Sequence, residues 1–173
     1  LTQAAFSNAC AAGRGGRGTL FFWAGGNGLD ANDNANYDGY ANSPYTIAVA
    51  ALTDGGQQAW YSEPGACLVV TAPSSGGATD IYTTDLTGED GYNYSGASGE
   101  ASDISYTATF GGTSSATPLA AGVGALLLQA NPNLGWRDVQ EILMRSARVV
   151  GATDAAWATN AAGFHFNHKF GAG

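Results

Sequence analysis

The stretch TSSATPLAAGVGALLLQA, Thr113 to Ala130, carries no charged side chain. At about 3.6 residues per turn it makes a helix of about five turns, apolar nearly all round. A helix of that kind has no face for water and belongs in a core, so other parts of the chain must cover it. Three short apolar runs are available: TLFFWAGG (Thr19–Gly26), YTIAVAAL (Tyr45–Leu52) and CLVVTAP (Cys67–Pro73). Continuous apolar strands, as opposed to alternating ones, are buried on both faces, as in a parallel sheet with helices packed on it. The pattern predicts an α/β fold with a largely parallel sheet flanked by helices.

The remaining segments fit around that frame. Leu1 to Ala12 reads as a helix that stops at Gly13, and GRGGRG (Gly13–Gly18) as the turn into the first strand. DIYTTDL (Asp80–Leu86) alternates and reads as an edge hairpin strand. Gly88 to Gly112 is rich in Gly, Ser and Tyr and reads as loop and turn. NPNLGWRDVQEILMRSA is a turn followed by a second helix, with Val139, Ile142, Leu143 and Ala147 on its apolar face. At 173 residues, with no internal repeat and no linker, the chain is one domain or a large part of one.

Charge excludes some functions. The net charge is −8, and the six basic residues are scattered, so no basic face for nucleic acid can be assembled. GRGGRG is too short to be an arginine–glycine RNA-binding tract. The acidic excess suits a cationic partner, a metal ion or a basic peptide. No apolar run reaches the ~20 residues of a membrane-spanning helix. Cys10 and Cys67 stand outside any dense cysteine framework and are expected to be unpaired with each other.

GGTSSATP (Gly111–Pro118) opens the long helix, and Ser114 is the candidate nucleophile. Unpaired backbone N–H groups and the positive end of the helix dipole would stabilise an oxyanion formed beside a serine placed there. Ser115 is the weaker candidate. Pro118 is placed in the first turn or so, where its missing N–H costs little. From the residues alone, an ordinary helix N-cap is the better explanation of the serine.

GGTSSATPLAAGVGALLLQANPNLGWRDVQEIL resembles the nucleophile region of subtilisin-like serine proteases, nearest the kexin/furin branch of proprotein convertases. FFWAGGNG with NYDGYANSPYTIAVAAL, then WYSEPGAC, IYTTDL and AWATNAAGFHFNHKFGAG, resemble that branch in the same order. The resemblance implies a subtilisin-like fold and a serine endopeptidase cutting after basic residues, secreted, periplasmic or in the secretory pathway. It implies Ser114 as nucleophile and Asn27 as side-chain donor of the oxyanion hole. It also implies Asp38 as the S1 carboxylate facing a P1 arginine or lysine, and Asp33 and Glu63 as ligands of a structural Ca²⁺ beneath that pocket. An EF-hand reading of Asp30, Asn32 and Asn34 fails, because Ala35 and Ala41 stand where glycine and the bidentate glutamate are required. Ala35 and Tyr37 stand where animal convertases carry cysteines.

A serine protease needs a histidine base and an acid to orient it. The only histidines are His165 and His168, both after Ser114, whereas the family order is Asp, His, Ser. They are expected to be structural or at the surface. The chain is therefore expected to be the C-terminal part of one peptidase domain, whose N-terminal part supplies the catalytic Asp and His, and to be nearly inert alone. A non-catalytic homologue serving as a binding or scaffold module, and a subtilase of broad specificity, are the alternative readings.

Overall fold

A computed structural model describes residues 2–173. Helix α1 (Thr2–Gly16) leaves helical dihedrals from Gly13 onward, with Arg14 at φ 52° and Gly15 at φ 66°. The glycines thus end the helix after Ala12, as expected. Strands β1 (Phe22–Ala24), β2 (Ile47–Leu52) and β3 (Leu68–Pro73) form a parallel sheet in that order. Phe22 lies opposite Ile47 and Ala48 opposite Leu68, with a register shift between Ala48 and Val49.

Strand β2 is the centre of the molecule, and its alternation divides the core. Ile47, Val49 and Ala51 face Ala116 and Ala120 of helix α2 (Thr113–Ala130) and Val139 and Leu143 of helix α3 (Trp136–Ser146). Ala48 and Ala50 face the other way, onto Ala35, Ala41, Leu68 and Trp23. Successive strand residues point to opposite faces, so a run apolar at every position can serve two cores. Strand β1 is only half-buried along its length, because it forms the edge of the described sheet. The expected apolar face of α3 is largely present: Val139 and Leu143 are buried and Ile142 is half-buried.

Three expectations are corrected. Gly88 to Gly112 is not only loop and turn. It contains β5 (Tyr106–Phe110), antiparallel to β4 (Ile81–Thr84), and so completes the hairpin expected for the Asp80 segment. Helix α2 is not covered all round: it packs on all three sheet strands, yet Leu119 (43% exposed), Val123 (48%) and Leu126 (64%) face solvent. Pro118 lies beyond the first turn of α2, so it removes the N–H that would have bonded the Ser114 carbonyl four residues back.

After α3, β6 (Ala158–Thr159) and β7 (His165–Phe166) make a small hairpin. The Trp157 ring stacks on His165 with centroids 4.8 Å apart, and Lys169 pairs with Asp154 at 2.5 Å. Both histidines lie at the surface in this C-terminal segment, as expected.

Candidate active site

The carboxyl ends of parallel strands, where open α/β sheets bind their ligands, bring the candidate residues together. Strand β1 runs into Gly25, Gly26 and Asn27. Strand β3 runs into Ser74 and Ser75, and the N-terminus of α2 lies against both. Asn27 Oδ1 accepts the backbone N–H of Thr113 at 2.8 Å and the Thr113 hydroxyl at 2.9 Å. The Gly26 N–H donates to Thr113 Oγ1 at 3.2 Å. These bonds join segments 86 or 87 residues apart and place the residue before Ser114 against Asn27.

Two consequences follow for the chemistry. With Oδ1 engaged by both donors, the Asn27 Nδ2 is its remaining side-chain donor. Gly112, at φ 76°, is the second: a Cβ there would sit 3.0 Å from Asn27 Nδ2, so only glycine lets the amide lie beside the turn.

The two serines differ sharply. Ser115 is buried, with its Oγ 2.6 Å from Ser74 Oγ and donating to the Gly112 carbonyl at 3.2 Å. Ser114 is exposed in the first turn of α2, between the Thr113 N–H held by Asn27 Oδ1 and the Ser115 N–H held by the Gly112 carbonyl at 3.2 Å. Only Ser114 presents a hydroxyl that an incoming carbonyl could reach.

The carboxylates gather on the other side of Asn27. Glu63 is buried and its Oε1 accepts the Gly28 N–H at 2.8 Å. A Cβ on Gly28 would lie 3.1 Å from Glu63 Oε1 and 3.3 Å from Asp33 Oδ2, so the two carboxylates flank one small space that glycine keeps open. Gly26, at φ 109°, is pressed against the Glu63 carboxylate in the same way. The loop carrying Asp33 and Asp38 is tied to this segment by the Ala35 N–H on the Pro64 carbonyl at 3.0 Å and the Cys67 N–H on Asn36 Oδ1 at 3.1 Å.

Burial pushes the Glu63 carboxyl above its ordinary pKa, and the negative charges of Asp33 and Asp38 push it further, against the Gly28 hydrogen bond. No arginine or lysine pairs with any of the three among the described residues. No cluster of three His, Cys, Asp or Glu side chains close enough to hold a metal occurs among the described residues. Asp38 is exposed, its Oδ1 accepting the Tyr40 N–H at 2.7 Å.

Cys10 and Cys67 are free thiols. Burial raises the pKa of Cys67, and Asp38 and Glu63 add to the effect. The EF-hand alternative has no structural counterpart, since the loop holds two single-turn 3₁₀ segments, Leu29–Ala31 and Ala35–Tyr37. Sequence reasoning passed over Tyr61, Ser74 and Ser75, whose hydroxyls back the turn before Ser114. Each is a common residue in its own strand or loop, and nothing local marks it.

The subtilase family model matches residues 2–173, and the chain belongs to the subtilase family of serine peptidases. Within that family it is 40% identical over its whole length to furin-like protease 1 of Drosophila melanogaster and 42% identical to human proprotein convertase subtilisin/kexin type 4. It covers 14% and 21% of those proteins, so it spans less than a quarter of the curated relatives it matches. The crystal structure of the Aeromonas sobria serine protease superposes with a TM-score of 0.88 at 26% identity, covering 99% of this chain and 37% of that one. The α/β architecture is thus that of subtilisin-like proteases.

Proposed function

We propose that this chain supplies the nucleophile, oxyanion and S1 side of a serine endopeptidase of the kexin type, cleaving peptide bonds after basic residues. The observation that carries it is the pairing of Asn27 with Thr113 beside an exposed Ser114. Ser114 Oγ attacks the scissile carbonyl and its proton passes to a histidine in the preceding part of the domain. The tetrahedral oxyanion takes hydrogen bonds from Asn27 Nδ2 and the Ser114 N–H. Collapse breaks the C–N bond, the amine leaves with the proton, and water releases the acyl group from Ser114. In this reading the exposed face of α2 at Leu119, Val123 and Leu126 packs against that preceding part. Fluorophosphonate labelling of the full-length protein tests the reading: an adduct on Ser114 is expected, and its absence overturns it.

Asp38 faces the P1 side chain. A guanidinium–carboxylate pair is a strong charge-assisted interaction. Asp38→Asn keeps the shape and is expected to lower kcat/KM for an Arg P1 substrate by about 10- to 100-fold, the worth of about 1.5–3 kcal/mol for a hydrogen bond to a charged group. Phe P1 turnover should change by less than about twofold, since no such bond is lost there. An equal fall for both substrates would remove Asp38 from specificity.

Asp33 and Glu63 offer hard oxygen ligands around the space kept open by Gly28, and among the described residues they have no cationic partner, so they fit a Ca²⁺ ion. Bound there, the ion would neutralise the repulsion under the S1 pocket. The pH sign is clear. Glu63 has a raised pKa in the fold, so its contribution to stability is full below the ordinary glutamate range and is lost as pH rises through the raised value. Thermal melts in a chelator should therefore show Tm falling across that window. Added Ca²⁺ should reverse the fall, and Glu63→Gln should abolish both effects. A Tm unmoved by Ca²⁺ would refute the site.

Family membership also carries an expected setting in the secretory pathway, the periplasm or the extracellular medium. No helix of the described residues is long and apolar enough to cross a membrane.

A further inference from the structure

The peptide between Gly112 and Thr113 is gripped from both ends. Its N–H belongs to Thr113 and is held by Asn27 Oδ1 at 2.8 Å. Its carbonyl belongs to Gly112 and receives Ser74 Oγ at 2.7 Å and Ser115 Oγ at 3.2 Å. Behind those two serines stands Tyr61, whose hydroxyl donates to Ser74 Oγ at 2.8 Å and lies 3.0 Å from Ser75 Oγ. The Gly112 N–H reaches Ser75 Oγ at 3.4 Å. Tyr61, Ser74 and Ser115 are 5%, 2% and 1% exposed, so solvent cannot replace a lost member.

Counting protons decides what the cluster does. Each hydroxyl has one proton to give. Tyr61 can donate to Ser74, Ser74 to Ser115, and Ser115 to the Gly112 carbonyl. Alternatively Ser115 donates to Ser74, Ser74 to the carbonyl, and Tyr61 to the Ser75 carbonyl at 3.1 Å. Both arrangements end with a donor on Gly112 O. A serine bonding the carbonyl three residues back is ordinary at a helix start. The link to Ser74, 41 residues away, and on to Tyr61 is not.

We propose that Ser115, through Ser74 and Tyr61, is a positioning residue that fixes the Gly112–Thr113 peptide plane and thereby aims the Asn27 amide at the oxyanion. This rests on the reading of Ser114 and Asn27 given above. The plane presents the Thr113 N–H to Asn27 Oδ1, and that bond decides which end of the amide faces the substrate. If the carbonyl is released, the plane can tilt and Nδ2 loses its aim. The penalty falls on the transition state, where the oxyanion exists, and not on ground-state binding.

The test is made in the full-length protease. Ser115→Ala removes the longer of the two hydroxyl bonds to the carbonyl and is expected to lower kcat by about 2- to 5-fold, with KM within about twofold. Ser74→Ala removes the 2.7 Å bond and the link to Tyr61 and should show the same split at about 5- to 30-fold in kcat. Ser115→Thr keeps the hydroxyl within reach of the carbonyl three residues back and should recover most of the rate. Combined with Asn27→Ala, the Ser115→Ala loss should shrink toward nothing, since both act on one donor. A role elsewhere predicts otherwise: Tm falls while kcat holds, or a kcat loss persists in full in the double variant. Either result, or failure of Ser115→Thr to recover rate while folded, overturns the proposal. Labelling of Ser114 by fluorophosphonate in the wild-type protein separates this outcome from failure of the protease reading itself.

Discussion

Ser114→Ala in the full-length protein is expected to lower turnover by about 10⁶-fold, the loss found for the nucleophile of subtilisin, a member of the same family. The residual rate should still exceed the uncatalysed one by about 10³–10⁴, because the oxyanion donors and substrate contacts survive. KM should barely move. Ser115 cannot take over: it is buried, and its hydroxyl is held by Ser74 and the Gly112 carbonyl. Nor should the substitution unfold the protein, since Ser114 is exposed and makes no side-chain hydrogen bond among the described residues. Steady-state kinetics on a peptide with arginine at P1, a melting curve and loss of fluorophosphonate labelling would together establish the role. An adduct that migrates to Ser115 with activity retained would refute it.

How far the sequence could be read depended on whether a signal was local. Helix α2 was legible to the residue because Gly112 precedes, and Asn131 follows, a largely apolar run without a charged side chain. Strand β2 was legible because Ile47 to Leu52 is apolar at every position. The sequence could not say which sides of α2 are opposed. Periodicity identifies apolar residues, not their partners, so Leu119, Val123 and Leu126 were assigned to a core that the described residues do not build.

Strand β5 was missed for a related reason. Tyr106 to Phe110 mixes threonine with alanine inside a Gly/Ser/Tyr-rich segment, and it is a strand because β4 pairs with it. The site followed the same division. Ser114 at a helix start was visible as chemistry, but Asn27 beside Gly28 reads locally as a turn residue. Its proposed role came only from the resemblance, and its partnership with Thr113 only from the geometry. Burial removes Ser115 as a rival nucleophile, and burial is not written in the local sequence.

Asn27→Asp isolates the proposed oxyanion donor more cleanly than alanine does. The carboxylate keeps an oxygen where Oδ1 now accepts the Thr113 N–H and hydroxyl at 2.8 and 2.9 Å, so the turn before Ser114 stays tied to the end of β1. What changes is the other arm, where Nδ2, a donor, becomes an oxygen with negative charge. Removing one such donor costs about 10²–10³ in kcat, the value found for the side-chain donor of subtilisin. The aspartate should cost more than that, because it adds repulsion against a developing oxyanion in a site where water does not screen it fully. Asn27→Ala should fall within the donor-loss range, with some added loss because Thr113 loses its acceptor. The expected order of kcat is therefore wild type, then alanine, then aspartate, with KM nearly constant and Tm highest of the two variants for aspartate. Fluorophosphonate adducts should still form on Ser114 in both, more slowly, because their phosphonyl oxygen draws on the same donor. If aspartate matched wild type in kcat, the Asn27 amide would have no part in stabilising the transition state, and its bonds to Thr113 would be scaffolding alone.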